Sequence, residues 1–283
     1  FNYRSIVDFR IQLDIIKREY KPLSINDYNR NREFYIKSDD IFYILTFDDG
    51  YKEHCDVVID ELVKRGMIGV FFIPSSLTSR LTLLDVNLIH HLLAKVQSVK
   101  LLEKLEYILR SFDEKYTHYL YLKNNYVNKS RYDDLVTSFL KFVLQSAFEL
   151  DFRKMILNLL WDNFMCESQE DVVKNLYLNK DDLHRMQSFN MVIGGHGHDH
   201  VHLSKVSLEI QQAEIKESSL FLDGLCNFNE HPKCFAYPYG SYDYRTLELL
   251  RAEGFELGFT TNPVNDNIKF TNLEIPRLDT NDI

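Results

Sequence analysis

Residues 41–50 read IFYILTFDDG, an apolar run that ends in two adjacent aspartates and a glycine. The run Ile41–Leu45 is continuous and rich in β-branched and aromatic residues, which predicts a strand buried on both faces. Apolar residues then recur at helical spacing over Asp56–Lys64, Gly66 is a typical helix stop, and Ile68–Ile73 is a second apolar run. This strand–helix–strand unit predicts an α/β protein with a mostly parallel sheet or a barrel.

The rest of the chain repeats this alternation, with one long helical interruption. Residues 78–175 are rich in Leu, Phe and Lys at helical spacing and contain no Gly or Pro, which predicts about four helices. Strand character resumes at Met191–Ile193 and again just before Pro238. We therefore predict a single domain over residues 1–283 with a helical insertion at residues 78–175.

Composition excludes several classes of protein. A net charge of −9 argues against a nucleic-acid partner, and no apolar stretch approaches the roughly 20 residues of a membrane span. The four cysteines form no Cys-x-x-Cys pair and resemble isolated thiols more than a zinc site or a disulfide framework. A protein with few disulfides fits a reducing compartment. We expect a cytoplasmic rather than an exported protein. Phe1 is not a start methionine, so a removed leader or anchor is compatible with this expectation.

Polar side chains follow three of the predicted strands. Asp48 and Asp49 follow the first, and on their own they are typical of a turn. The stretch GGHGHDHVH at 194–202 holds four of the ten histidines, which suits either a metal site or a solvated His-rich loop. Tyr237–Gly240 (YPYG) follows another strand. The carboxyl ends of parallel strands meet at one edge, so we favour a site built from these loops.

These three stretches, in this order, resemble the NodB-homology polysaccharide deacetylases of carbohydrate esterase family 4. The family's Thr-Phe-Asp-Asp-Gly motif is intact at Thr46–Gly50. Its His-Ser/Thr-x-x-His motif corresponds to His196–His200, and its Arg-x-Pro-Tyr-Gly motif to Ala236–Gly240. The likeness extends to LSINDY, FFIPSS, EIKESS and EIPRLD, and so covers most of the chain outside the insertion.

The resemblance implies a distorted (β/α) barrel that hydrolyses the N-acetyl amide of an amino sugar with one divalent metal ion. Asp49 is then the carboxylate ligand, and His196 and His200 are the imidazole ligands. Asp48 is the general base, and the backbone amide of Tyr239 donates to the oxyanion. Zinc is the expected metal, with cobalt, nickel and iron as alternatives. The metal also explains the adjacent aspartates, because its charge offsets their repulsion.

Two departures from the family concern supporting residues. Gly197 stands where the family has Ser or Thr, and Asp199 is a candidate to orient a ligand imidazole instead. Ala236 stands where the family has the arginine that tethers the base. Arg277, in EIPRLD, is a candidate substitute because a guanidinium can hold a carboxylate with two hydrogen bonds. A surface ion pair is the alternative interpretation of Arg277.

A third departure concerns the general acid. Many members protonate the leaving amine with the histidine of a C-terminal Leu-x-His, but no histidine follows His231 in this chain. Candidate replacements are His54, His198 and His202. Asp48, acting first as base and then as acid, is a further alternative.

The leading hypothesis is a metal-dependent N-deacetylase acting on an acetylated amino sugar that is polymeric, lipid-linked or nucleotide-linked. The helical insertion would cap or line the substrate groove, or mediate oligomerisation. One alternative is a non-catalytic carbohydrate-binding relative that keeps the metal site. Another is a His-rich metal-handling protein, which would take several ions loosely instead of one tightly.

Overall fold

The computed structural model describes residues 5–128, 133–225, 231–263 and 271–280. The chain divides into two compact units, one made of Phe1–Ser79 with Leu176–Ile283 and the other of Arg80–Asn175. Cys226 lies outside the described residues, and the other three cysteines are free thiols. In the described ranges, no helix combines the length and the apolar character that a membrane crossing requires.

The first unit contains all seven strands of the described chain, and five of them form one parallel sheet in the order β3–β4–β5–β6–β7. The strands are β1 Lys21–Pro22, β2 Phe42–Tyr43, β3 Leu45–Phe47, β4 Gly69–Ile73, β5 Val192–Gly195, β6 Cys234–Ala236 and β7 Leu257–Phe259. Strands that follow one another in the sequence also lie side by side in this sheet, as they do in a (β/α) barrel. The sheet forms a half-barrel, and the predicted fold class is confirmed.

Helices account for most of the remaining described residues. They are α1 Ile6–Glu19, α2 Ile25–Lys37, α3 Ile59–Arg65, α4 Asp85–Lys95, α5 Ser98–Leu109, α6 Asp113–Asn125, α7 Leu135–Ser146, α8 Leu150–Phe164, α9 Gln169–Leu176, α10 Lys180–Ser188, α11 Leu208–Leu225 and α12 Tyr244–Ala252. Helix α3 follows a π-helical turn at His54–Val58 and ends at Gly66, whose φ of 65° is left-handed.

The predicted strand Ile41–Leu45 is wrong in its extent. Two short strands replace it, since β2 pairs with β1 while β3 begins the main sheet. Strand β3 has a neighbour only on the β4 side, and its residues are half-buried instead of buried. An apolar run therefore indicated a strand correctly, but periodicity alone did not show that it changes sheets.

The second unit contains six helices in its described residues, α4 to α9, where about four were predicted. Its helix ends carry no Gly or Pro signal. Helix α4 instead stops at Val96 in an extended conformation, and α5 begins two residues later. Leu101, Leu140 and Leu160 are fully buried in this unit. Its role as an insertion within a single catalytic domain stays a prediction.

Candidate metal and catalytic site

One carboxylate and two imidazoles converge at the carboxyl edge of the sheet. Asp49 lies just beyond β3, His196 directly follows β5, and His200 lies in the loop after it. The Nε2 atoms of His196 and His200 lie 3.4 and 3.2 Å from the same Oδ1 atom of Asp49. The candidate ligand atoms of the three residues all lie within 4.8 Å of one another, as a shared ion requires.

Neighbouring groups orient both rings. The Nδ1 atom of His196 lies 2.7 Å from the Ala236 carbonyl oxygen, so this nitrogen donates. Its Nε2 atom faces Asp49, where it can donate when protonated or ligate a metal ion when deprotonated. The Nδ1 atom of His200 is buried without a hydrogen-bond partner among the described residues, and its ring packs edge-on against Tyr239. Neither Nδ1 therefore bonds Asp199, so the expectation that Asp199 orients a ligand ring is wrong. The donor set fits one divalent ion.

The electrostatics of this cluster favour a cation. Burial opposes charge on Asp49, but hydrogen bonds from His196 and His200 hold the pKa of its carboxyl well below the ordinary value. Burial also opposes charge on His196, yet the Asp48 and Asp49 carboxylates outweigh it and raise the pKa of that imidazole. Two adjacent carboxylates thus impose a negative field on the space between the rings.

Arg277 holds Asp48 with two hydrogen bonds. Its two terminal nitrogens each lie 2.8 Å from a different oxygen of the Asp48 carboxylate. Its Nε donates to the Thr260 carbonyl oxygen at 2.9 Å, and only 15% of its side chain is exposed. The pair is therefore not a surface ion pair. Burial opposes ionisation of Asp48, but His196 and Arg277 hold the pKa of its carboxyl below the ordinary value.

Backbone strain is concentrated at this site. Four non-glycine residues of the described ranges have positive φ, and three of them are Asp49 (76°), His200 (55°) and Tyr239 (57°). The fourth is Asn190. A left-handed conformation costs a non-glycine residue of the order of 1–3 kcal/mol, so it persists where the surrounding structure imposes it. Strain at three converging side chains points to function.

Tyr239 lies in the turn Pro238–Gly240 that follows β6. Its ring stacks on His202 with centroids 3.9 Å apart and meets His200 edge-on at 4.6 Å. The structure therefore places the residue beside the imidazole ligands. The role of its backbone amide stays a prediction.

The other candidate acids differ in their surroundings. His54 is 9% exposed and lies against the rings of Phe47 and Phe71, with centroids 5.8 and 5.5 Å away. Burial lowers the pKa of His54 to about 4, so the ring is neutral at pH 7 and is poorly suited to act as the general acid. His198 bonds the Ser75 hydroxyl through Nδ1 at 2.8 Å.

One contact was not anticipated from the sequence. The buried carboxylate of Glu214, on α11, accepts hydrogen bonds from the backbone amides of His198 and Asp199. A single glutamate on an amphipathic helix carries no sequence signal for such a contact, although the stretch EIKESS contributed to the family resemblance.

Comparison with known proteins agrees with this geometry. A family model described as polysaccharide deacetylase matches residues 159–258, which include the His196–His200 loop and the Ala236–Gly240 turn. Residues 159–258, about a third of the chain, are thus similar to the polysaccharide deacetylases. YxkH of Bacillus subtilis (strain 168), which is assigned to the polysaccharide deacetylases, is 28% identical over 87 residues. That match covers 31% of this chain and only 30% of YxkH.

Solved structures share the fold. The Streptococcus pyogenes deacetylase PplD, solved with acetate, superposes with a TM-score of 0.52 at 18% identity, covering 95% of this chain and 78% of PplD. IcaB from Ammonifex degensii superposes with a TM-score of 0.54 at 15% identity, covering 98% and 85%. At such identities the likeness establishes the barrel-type fold of this chain and no more.

Proposed function

We propose that this protein is a metal-dependent hydrolase that removes an N-acetyl group from an amino sugar in a glycan or glycan precursor. The observation that carries the proposal is the pairing of two features at one sheet edge. Asp49, His196 and His200 converge on one point, and Asp48, held by Arg277, lies 4.0 Å from the Nε2 atom of His196. The similarity of residues 159–258 to polysaccharide deacetylases supports glycan deacetylation as the reaction class.

Asp49, His196 and His200 would hold one divalent ion, with zinc expected and cobalt, nickel and iron as alternatives. When bound, the ion supplies Lewis-acid chemistry that makes water more acidic and polarises the acetyl carbonyl. Three protein ligands leave coordination positions open, which suits catalysis better than a structural role.

Asp48 acts as the general base. It takes a proton from the water that attacks the acetyl carbon, and Arg277 keeps the carboxylate ionised and correctly turned. The guanidinium is itself fixed by the Thr260 carbonyl, so the base has little freedom to rotate away. Arg277 is therefore a positioning residue in this scheme.

The backbone amide of Tyr239 donates to the oxygen that becomes negative as the carbonyl carbon turns tetrahedral. Asp48 then returns its proton to the sugar nitrogen as the carbon–nitrogen bond breaks. Acetate and a free amine are released, and the aspartate is ionised again. His202, beside Tyr239, is the alternative donor of that proton.

Further predictions concern context. The acetylated sugar would be polymeric, lipid-linked or nucleotide-linked, and the second unit would cap the groove or mediate self-association through its apolar helix faces. We expect the protein in the cytoplasm, because its four cysteines resemble isolated thiols more than a disulfide framework. Cell fractionation and light scattering test location and assembly. Membrane-bound protein would contradict the expected location, and strictly monomeric protein would exclude self-association.

The test is acetate release from acetylated glucosamine oligomers and acetylated nucleotide sugars, measured on zinc- or cobalt-loaded protein with and without chelator. Chelator-sensitive acetate is the expected result. One tightly bound ion without acetate from any substrate would favour the non-catalytic carbohydrate-binding alternative. Several loosely bound ions would instead indicate a metal-handling protein.

A further inference from the structure

Glu214 contacts the loop that carries both imidazole ligands without being a ligand itself. The side chain extends from α11 and the residue is 5% exposed. Its Oε2 atom accepts the N–H of His198 at 2.7 Å and that of Asp199 at 2.9 Å, and its Oε1 atom accepts the N–H of Asp199 at 3.1 Å. One carboxylate thus binds two consecutive backbone amides between His196 and His200.

The loop conformation creates this anion site. Gly197 has a φ of 73°, a left-handed turn after which the amides of His198 and Asp199 point to the same side. Consecutive amides arranged this way form a concavity that binds anions. Hydrogen bonds to a charged carboxylate are roughly twice as strong as neutral ones, and burial makes their loss expensive.

The carbonyl groups of the same loop are held separately. The amide of Ser75 donates to the Gly197 oxygen at 3.0 Å, and that of Ser76 donates to the His198 oxygen at 3.2 Å. The loop is therefore fixed through its carbonyls by the segment after β4 and through its amides by Glu214. Both imidazoles sit at the ends of the segment so fixed.

We infer that Glu214 is a positioning residue of the metal site, whose carboxylate fixes the His196–His200 loop and thereby sets the affinity for the ion. The inference rests on the proposed function only in taking the three converging side chains as a metal site. It does not require that the protein hydrolyse an amide.

The direct test compares Glu214→Ala and Glu214→Gln with the unchanged protein. Cobalt and zinc affinities are measured by competition with a chelator, and exchange of the His198 and Asp199 amides is followed by hydrogen–deuterium exchange. We expect Glu214→Ala to weaken metal binding about 10- to 100-fold and to speed exchange of both amides. Glu214→Gln keeps one acceptor oxygen, so its losses should be smaller.

Two variants on the same helix serve as controls. Glu217 is exposed three residues along α11, and Glu217→Gln should leave both readouts unchanged. Leu222 is fully buried, so Leu222→Ala should lower stability while the folded protein keeps its metal affinity. The second control separates a positioning effect from a general loss of stability.

A second pair of variants tests the contact from the loop side. A Cβ added at Gly197 would lie 2.9 Å from the Oε2 atom of Glu214, whereas one added at Gly66 would meet nothing within 4 Å. Both glycines have positive φ, at 73° and 65°. Gly66→Ala should therefore lower stability only through the strained left-handed backbone. Gly197→Ala carries the same strain and also displaces the Glu214 carboxylate, so it should in addition weaken metal binding.

The outcomes are distinct. If folded Glu214→Ala and Glu214→Gln bind metal within about twofold of the unchanged protein, and both amides exchange at the original rate, the inference is overturned. If Glu214→Ala does not fold, Glu214→Gln decides by the same criteria. Weakened metal binding in these variants, combined with no acetate from the unchanged protein, would sustain the inference and defeat the proposed function.

Discussion

The guanidinium of Arg277 and the carboxylate of Asp48 meet through two parallel hydrogen bonds of 2.8 Å, although the residues are 229 positions apart. The sequence offered Arg277 as a substitute for the arginine missing at Ala236, and the structure brings it to the predicted partner. Two considerations made this predictable, because an ionised base in a buried site needs a cation and Arg277 lies in EIPRLD, a stretch similar to the family. Glu214 was not predictable, since a carboxylate that binds backbone amides requires no particular sequence partner.

Arg277→Lys should lower kcat about 10- to 100-fold while leaving metal affinity nearly unchanged, because lysine keeps the charge but not the two-pronged contact. The arginine lowers the pKa of Asp48, so a weaker partner lets that pKa rise. The base must be ionised, so the acid limb of the kcat/KM profile should move to higher pH. A pH–rate series measures both effects.

The matched control is Arg245, at the start of α12. Its Nε and Nη2 atoms contact the Asp243 carboxylate at 2.9 and 2.5 Å. Arg245→Lys makes the same chemical change away from the site and should leave the pH profile alone. An Arg277→Lys enzyme with an unchanged profile would show that this contact does not tune the base.

At the scale of elements, the strand–helix–strand unit of residues 41–73 was largely predictable from sequence. The strand–helix–strand order and the stop at Gly66 follow from periodicity and from the left-handed turn that glycine allows. Helix α2 was not predicted, because few of its residues are apolar and only Ile25 and Tyr28 are buried. The π-helical turn before α3 also has no sequence signal, yet it carries His54, which packs against Phe47 and Phe71.

His54→Leu should reduce the loss of stability on acidification. The pKa of His54 is about 4 in the folded protein against an ordinary value of 6.5, so between these values the unfolded chain binds the extra proton. Stability from the neutral ring is therefore complete above pH 6.5 and declines as pH falls toward 4. Between pH 7 and 4.5 this amounts to about 2–3 kcal/mol.

Urea unfolding of the two metal-free proteins at pH 7 and 4.5 measures this difference. His184, which lies on α10 and shows no burial of this kind, supplies the control variant His184→Leu. Equal losses for His54→Leu and the unchanged protein would mean that His54 is not held neutral in the fold.

At the scale of the whole molecule, the metal site joins distant parts of the chain, since Asp49 and His196 are brought together only by the parallel pairing of β3, β4 and β5. A bound ion should therefore stabilise the fold. At a free concentration of about a hundred times Kd, the ion adds about 2.7 kcal/mol, or roughly 5–10 °C in Tm.

Thermal unfolding with zinc and with chelator measures this stabilisation, alongside a count of bound ions. We expect one ion per chain and no response in Asp49→Asn, which removes a charged ligand. Cys55→Ser provides a control in the second cluster of possible donors, formed with Asp56 and Asp182. Stabilisation that persists in Asp49→Asn would place the ion elsewhere.

The division into two units was anticipated only as a change in sequence character near residues 78 and 175. That change could be recognised in the sequence, because residues 78–175 contain no Gly or Pro whereas the rest of the chain contains both. The number of helices could not be predicted from the sequence. Helix α4, for example, ends at the extended residue Val96 and not at a Gly or Pro.

The central claim is that Asp48 is the base of a metal-dependent deacetylase. It is tested most directly by acetate release from metal-loaded Asp48→Asn and unchanged protein, with bound metal counted in both. We expect the unchanged protein to release acetate, and Asp48→Asn to retain its ion while losing about 100- to 10,000-fold in rate. An Asp48→Asn protein that holds one ion and releases acetate at the original rate would contradict the account.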